Sequence, residues 1–110
     1  MVGELVREAA LEGVRDELPH SLAVTVEEMT LREDRPADRP LLDIHATLYV
    51  ERPSQKAIVI GHGGERLREV GSQARRQIEA LLGTPVFLDL HVKVAKDWQR
   101  DPKQLAKLGF

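Results

Sequence analysis

Strict alternation of apolar and polar residues predicts three β-strands in this chain. In the second of them, Leu42, Ile44, Ala46, Leu48 and Val50 alternate with polar or smaller neighbours. A strand directs successive side chains to opposite faces, so this pattern indicates one buried face and one open face. The strands predicted in this way are 22–31, 42–50 and 86–94.

Apolar residues at a spacing of three or four predict helices elsewhere. The pattern over 65–82 is followed by Gly83, where a helix C-terminal cap belongs, and the pattern over 4–18 is followed by Pro19. Pro53 is suited to start a short helix, and Pro102 to start a closing one. The predicted helices are 4–18, 55–60, 65–82 and 102–108.

These elements follow one another as helix, strand, strand, helix, helix, strand and a final helix. Strands and helices with one apolar face each pack as two layers, which predicts an α/β fold of the α+β two-layer sandwich type. A sequence of 110 residues is long enough for one hydrophobic core and too short for two. We therefore expect residues 1–110 to form a single domain.

A glycine-rich loop joins the two central helices. Gly61, Gly63 and Gly64 lack a Cβ, so the backbone there is able to approach a ligand closely and to take positive φ. The amides of His62–Glu65 precede a helix, whose N-terminus attracts anions. A Gly-x-x-Gly loop between helices in this element order is that of a type II KH fold, which clamps a nucleic-acid backbone.

The charge distribution favours an anionic partner although the net charge is −2. Residues 1–51 hold 12 acidic and 5 basic side chains, a net charge of −7. Residues 52–110 hold 6 acidic and 11 basic side chains, a net charge of +5, and this half contains the glycine loop. Such asymmetry is typical of a surface of which one part binds nucleic acid, although a polarised solvated surface is the alternative.

Enzyme classes find no support in the sequence. There is no cysteine for a nucleophile or a thiolate metal site, and no NTPase phosphate loop. Arg66 stands where a dinucleotide fingerprint would need its third glycine. The four histidines lack metal-ligand spacing, so no catalytic residue and no metal ligand is predicted. No apolar run approaches the roughly 20 residues of a membrane span.

Five segments, distributed over nearly the whole chain, carry a family resemblance: 17–21, 55–64, 78–83, 92–98 and 101–110. They resemble the C-terminal KH domain of the Era family of ribosome-assembly GTPases. The Lys96-Asp97-Trp98 segment and the Leu108-Gly109-Phe110 ending are not general KH features. The resemblance implies an RNA-binding domain that holds the single-stranded 3′ end of 16S rRNA during assembly of the small ribosomal subunit.

The same resemblance implies an upstream GTPase domain, for which this chain has no residues. GTP and magnesium would belong to that domain, so the chain itself is expected to bind no cofactor. A cytoplasmic monomer is expected, with peripheral membrane contact as a property of the full-length family protein. The chain is then either an excised domain or a free-standing paralogue.

The candidate RNA-binding residues surround the glycine loop. The glycines and the loop amides would meet the RNA backbone, the basic residues its phosphates, and Ile58 with Ile60 would form an apolar wall for bases. Solvated surface charge and core packing are the alternatives for these side chains. His62 replaces a lysine usual in the family, which exchanges a permanent charge for a titratable one. The candidates are Lys56, Ile58, Gly61, His62, Gly63, Gly64, Arg66, Lys93 and Lys96.

Three other interpretations remain at the level of sequence. Some KH-like modules dock a protein partner, although those that do lack the Gly-x-x-Gly loop. A generic binder of single-stranded RNA would need the same loop. A ribosomal protein of type II KH fold is disfavoured by the net charge of −2.

Overall fold

A computed structural model describes residues 1–14 and 22–95 of the chain. The order of elements in these ranges is the predicted one, and the predicted closing helix 102–108 lies outside them. The elements are α1 (Val2–Leu11), β1 (Ala23–Leu31), β2 (Leu42–Val50), α2 (Pro53–Ile60), a 3₁₀ turn (His62–Gly64), α3 (Glu65–Leu82) and β3 (Val86–Val94).

The three strands form one mixed sheet in the order β1-β2-β3. β1 and β2 are antiparallel, with a bulge between Val26 and Glu28, whereas β2 and β3 are parallel in a register that pairs Leu42 with Val86. β3 is therefore an edge strand. Because β2 and β3 run in the same direction, α2 and α3 form the crossover that connects them.

The core lies between one face of the sheet and the three helices. Ile44 and Leu48 of β2 are fully buried, as are Val59 of α2 and Ile78 of α3. Gln55 accepts hydrogen bonds from the amides of Glu51 and Arg52 at 3.0 Å each, which satisfies donors at the start of α2. None of the helices in the described ranges has the length and apolar composition that a membrane span requires.

The first helix is shorter than the pattern predicts. α1 ends at Leu11, because Glu12 is extended (φ −60°, ψ 123°) and Gly13 takes a φ of +79°. Val14 still packs against the core, although it is no longer helical. The apolar spacing over 4–18 thus identified core residues correctly but was wrong about the helix beyond Leu11; residues 15–18 lie outside the described part of the chain.

The face of the sheet opposite the helices carries polar contacts between strands. Arg32 Nε donates to Asp43 Oδ2 at 2.8 Å, and its guanidinium lies 5.2 Å from the centroid of the Phe87 ring. The hydrogen bond from Arg32 holds the pKa of Asp43 below its usual range. Arg32, which follows the carboxyl-terminal end of β1, thus links that strand to the amino-terminal ends of β2 and β3.

We predict that Asp43→Asn lowers the melting temperature at pH 7 and that the difference narrows below about pH 4. A carboxylate with a lowered pKa stabilises the fold above its unfolded pKa, near 3.9, and this contribution is lost as the pH falls through the folded-state value. Thermal denaturation at pH 7 and pH 3 measures the effect. The control is Asp38→Asn, in the exposed 33–40 loop. An equal loss at both pH values would contradict the role of the Asp43 charge.

Candidate nucleic-acid interface

The loop between α2 and α3 depends on three glycines with positive φ. Gly61 ends α2 with φ 75° and ψ 179°, and Gly63 and Gly64 follow with φ of 59° and 79°. Residues with a Cβ rarely adopt these conformations. The chain therefore turns from α2 into α3 within a single 3₁₀ turn, and His62 and Gly63 lie exposed at its tip.

The absence of a side chain has a different structural consequence at Gly61 and at Gly63. A Cβ at Gly61 would lie 2.6 Å from Cβ of Arg66, so this glycine permits the start of α3 to pack against the end of α2. A Cβ at Gly63 would meet no atom within 4 Å. The space above Gly63 is open, which is what the approach of a ligand backbone requires.

The loop uses part of its own hydrogen-bonding capacity. The amide of Gly64 donates to the carbonyl of Gly61 at 3.2 Å, and the amide of Glu65 donates to the carbonyl of His62. The sequence predicts that all four amides from His62 to Glu65 are able to donate to a ligand, but those of Gly64 and Glu65 are already bonded within the loop. We expect the amides of His62 and Gly63 to be the donors for a phosphate.

A groove of about 620 Å³ runs from the loop between α3 and the edge strand β3. Its apolar lining consists of Leu67, Leu88 and Leu90, and a Cβ at Gly71 would lie 3.7 Å from the Leu90 side chain. Its polar lining comes from one side of α3. The residues that line it are Gly64, Leu67, Arg68, Gly71, Ser72, Arg75, Leu88 and Leu90.

Sequence reasoning overlooked Arg68 and took Arg75, the second arginine of this groove, for a solvated surface residue. Arg68 Nη1 donates to the carbonyl of Gly63 at 3.1 Å, which places an exposed cation beside the loop. Arg75 Nη1 pairs with Glu79 at 3.0 Å at the other end of the groove. The signal for Arg68 was present, since a residue in the first turn of α3 lies one helical turn from Gly64. Leu88 and Leu90 could not be found without knowing that β3 is the edge strand.

The structure brings together some of the predicted site residues and separates others. Lys56 and Ile58 lie half-buried on α2 before the loop, and Ile58 packs against the core. The guanidinium of Arg66 instead bonds the carbonyl of Ala10 at the end of α1. Lys93 is an exposed, odd-numbered residue of β3, whereas Leu88 and Leu90, which line the groove, are even-numbered residues of the same strand. Lys93 therefore projects from the opposite face. Lys96 lies outside the described residues.

Two strand histidines share one carboxylate on the open face of the sheet. His45 Nδ1 and His91 Nε2 lie 3.1 Å and 2.9 Å from Asp89 Oδ2, and since a carboxylate only accepts, both imidazoles donate. Burial raises the pKa of Asp89, but these two bonds outweigh it and the net shift is downward. Within residues 1–14 and 22–95, no group of three or more side chains is arranged to hold a metal ion.

Comparison with known proteins agrees with this geometry. Residues 17–99 match the KH domain family, and the chain belongs to that family. Over all 110 residues it is 79% identical to the GTPase Era of Streptomyces coelicolor and 71% identical to that of Mycolicibacterium smegmatis. It corresponds to the C-terminal, KH-domain region of Era, and the GTPase domain has no counterpart among these residues.

Two solved structures share the fold. Era in complex with MgGDPNP and nucleotides 1506–1542 of 16S ribosomal RNA superposes with a TM-score of 0.88 at 40% identity, over 98% of this chain. An Aquifex aeolicus Era variant bound to GDP and AlF₄⁻ gives a TM-score of 0.87 at the same identity. The chain spans 35% of the length of each of these structures and 35–36% of the curated relatives. The predicted type II KH fold of the Era kind is thereby confirmed.

We predict that Gly61→Ala destabilises the protein more than Gly63→Ala does. Gly63 (φ 59°, ψ 21°) is left-handed, which costs an alanine about 1–2 kcal/mol. Gly61 (φ 75°, ψ 179°) lies in a region that essentially only glycine adopts, and there the new Cβ would also lie 2.6 Å from Cβ of Arg66. Overpacking adds about 1–3 kcal/mol. Urea denaturation of the two variants measures the difference. Equal losses would mean that the start of α3 is free to shift away from Gly61.

Proposed function

We propose that this chain is an RNA-binding domain that holds the single-stranded 3′ end of 16S rRNA during assembly of the small ribosomal subunit. The observation that carries this proposal is the loop at Gly61–Gly64, whose backbone is bare at its tip and opens directly into the groove between α3 and β3. A phosphate meets the exposed loop amides and Arg68, and the bases that follow lie along the groove.

The comparisons support the choice of RNA. The Era structure that superposes on this chain holds nucleotides 1506–1542 of 16S ribosomal RNA, and the chain aligns with 98% of its own length to that protein. At 40% identity and a TM-score of 0.88, the two proteins share the fold in which this loop lies. That likeness supports an RNA ligand over a protein ligand.

The contacts with RNA are proposed for the loop and its two flanks. Lys56 and Ile58 on α2 lie on one side of the loop, and Arg68 on α3 lies on the other. Lys93 on the far side of β3 is within reach only of RNA that continues around the sheet edge, and Lys96 is proposed with it. Arg66 is not proposed as an RNA contact, because its guanidinium already donates to two carbonyls at the end of α1.

The cellular setting follows from the same proposal. Residues 1–110 act as one domain, as a monomer in the cytoplasm, with the small ribosomal subunit as the assembly that they join. GTP and magnesium act in the GTPase domain of the Era relatives, peripheral membrane contact is a property of the full-length family protein, and the KH domain needs no cofactor of its own to bind RNA.

Binding of an oligonucleotide tests the function directly. We predict that RNA from the 3′-terminal segment of 16S rRNA binds tighter than a scrambled sequence, and that His62→Asp combined with Gly63→Asp abolishes binding. Two carboxylates at the tip of the loop would face a phosphate, whereas the cost in stability is only about 1–2 kcal/mol because Gly63 is open but left-handed. Fluorescence anisotropy gives the affinities, and thermal denaturation confirms folding.

The matched control adds the same charge elsewhere on the molecule. Gln77→Glu combined with Ala80→Glu places two carboxylates on exposed positions near the far end of α3, and it should leave most of the affinity intact. If the loop variant binds as wild type does, the RNA site lies elsewhere. Equal affinity for the native and the scrambled sequence would leave a generic binder of single-stranded RNA.

We predict that His62→Lys tightens RNA binding about two- to fivefold at pH 8, since an exposed ion pair contributes up to about 1 kcal/mol and the lysine ammonium adds a compact charge at the tip of the loop. Anisotropy titrations of the wild type and the variant on one oligonucleotide measure this.

The control is His91→Lys, the same exchange at an exposed histidine on the open face of the sheet. It should leave the affinity unchanged. Equal affinity of the wild type and His62→Lys would show that the side chain at position 62 does not face a phosphate.

A further inference from the structure

Arg66 bonds the end of a helix that is distant in sequence. Its Nη2 donates to the carbonyls of Ala10 and Glu12, both at 2.7 Å. These are short, charge-assisted hydrogen bonds to carbonyls that α1 leaves without helical partners at its C-terminus. The last turn of α1 contains no basic residue of its own. Arg66 therefore supplies the cation that favourably meets the negative end of this helix.

The same residue forms the wall against which the loop turns. The Cβ that Gly61 lacks would lie 2.6 Å from Cβ, 3.0 Å from N and 3.3 Å from Cα of Arg66. The first glycine of the loop is thus in direct contact with the backbone of Arg66. Through its two ends, Arg66 touches both the last turn of α1 and the first residue of the loop.

The two arginines at the start of α3 point in different directions. Residues two positions apart on a helix are separated by about 200° around its axis, and Arg66 faces α1 while Arg68 bonds Gly63 beside the groove. Glu69 and Gln73 line a cavity of about 310 Å³ on the Arg66 side, and the groove lies on the other side. A phosphate in the groove is therefore reached by Arg68, and Arg66 would have to break two short bonds to reach it.

We infer that Arg66 is a positioning residue, which fixes the Gly61–Gly64 loop against the C-terminus of α1 and so sets the geometry in which the loop binds RNA without touching the RNA itself. This inference rests on the proposed RNA-binding function. It also makes the position of α1 a determinant of RNA affinity, since α1 and the loop both contact Arg66.

Three variants separate positioning from contact. Arg66→Met keeps the aliphatic stem beside Gly61 and removes the two bonds to α1. Arg68→Met removes the cation beside the groove. Gln73→Met removes the 2.7 Å bond between Gln73 Nε2 and Glu12, which lies in the same α1–α3 contact but two helical turns from the loop. Arg66→Lys is the conservative variant, because an ammonium group is able to bond one of the two carbonyls.

The affinity for the 16S oligonucleotide is measured from low to high salt for each variant. Arg66→Met should weaken binding on the order of tenfold, as expected of a residue that acts through another, with the slope of log K against log salt unchanged. Arg68→Met should flatten that slope by about 0.7, the share of one phosphate contact on a single strand. Gln73→Met should leave both quantities unchanged, and Arg66→Lys should recover part of the affinity.

An amide NMR spectrum of each free protein gives a readout that needs no RNA. Arg66→Met and, to a smaller extent, Arg66→Lys should shift the amide resonances of Gly61, His62 and Gly63, whereas Gln73→Met should not. Wild-type affinity for Arg66→Met, a slope flattened by about 0.7, or an equal loss in Gln73→Met would each overturn the inference. If the wild type binds no RNA, the proposed function fails, and the loop resonances alone decide the role of Arg66.

Discussion

The parallel pairing of β2 with β3 is the constraint on which the rest of the structure depends. Parallel neighbours cannot be joined by a tight turn, so the chain must return along the sheet before β3 begins. The 18 residues of α3 span about 27 Å, close to the length of a nine-residue strand at about 3.3 Å per residue. Within the crossover formed by α2 and α3, α3 is by itself about as long as the strand along which the chain returns. The turn into α3 must therefore be tight, and the Gly-x-x-Gly loop is that turn.

Packing and ligand binding make separate demands on this loop. Gly61 is confined by the backbone of Arg66, so its missing side chain serves the contact between α2 and α3. Gly63 has open space above it, so its missing side chain serves whatever approaches from solvent. The same three-glycine segment thus carries a folding requirement at one end and a binding requirement at the other. A substitution in the motif is interpretable only once its position between these two ends is known.

The sequence predicted the elements well and their environment less well. Alternation located β2 and β3 at the residues observed, because period-two patterns of nine residues admit no other regular structure. The end of α1 was missed, since Val14 keeps helical spacing after Gly13 has already broken the helix. Leu81 and Leu82 continue the apolar stripe of α3 and yet are exposed. A periodic pattern marks a face, but it does not show where the opposing layer ends.

The candidate site residues show the same limit of sequence patterns. The loop glycines were found because their chemistry is local, whereas the directions of Arg66 and Arg68 depend on which side of α3 meets α1. Both residues are basic and they lie two positions apart, so the sequence alone did not distinguish them: Arg66 was predicted to bind phosphate and Arg68 was overlooked. The two carbonyls to which Arg66 donates are the reason for proposing a different role for it.

The groove has consequences for how RNA would be recognised. Its apolar walls are leucines. The aromatic residues of the described strands, Tyr49 and Phe87, are odd-numbered residues on the face of the sheet away from the helices. Bases in the groove would thus lie against Leu67, Leu88 and Leu90 rather than stack on an aromatic ring. Stacking on an aromatic ring tolerates any base, whereas an apolar slot of limited width leaves discrimination to the hydrogen-bonding edges of the bases. Among the described residues, Arg68 is an exposed cation bonded to the loop and Lys56 is a half-buried one that flanks it, so backbone amides and base edges would supply much of the affinity. A domain with a net charge of −2 is able to bind RNA on these terms, because the proposed contacts that select the ligand are short-ranged and lie around the loop and the groove between α3 and β3.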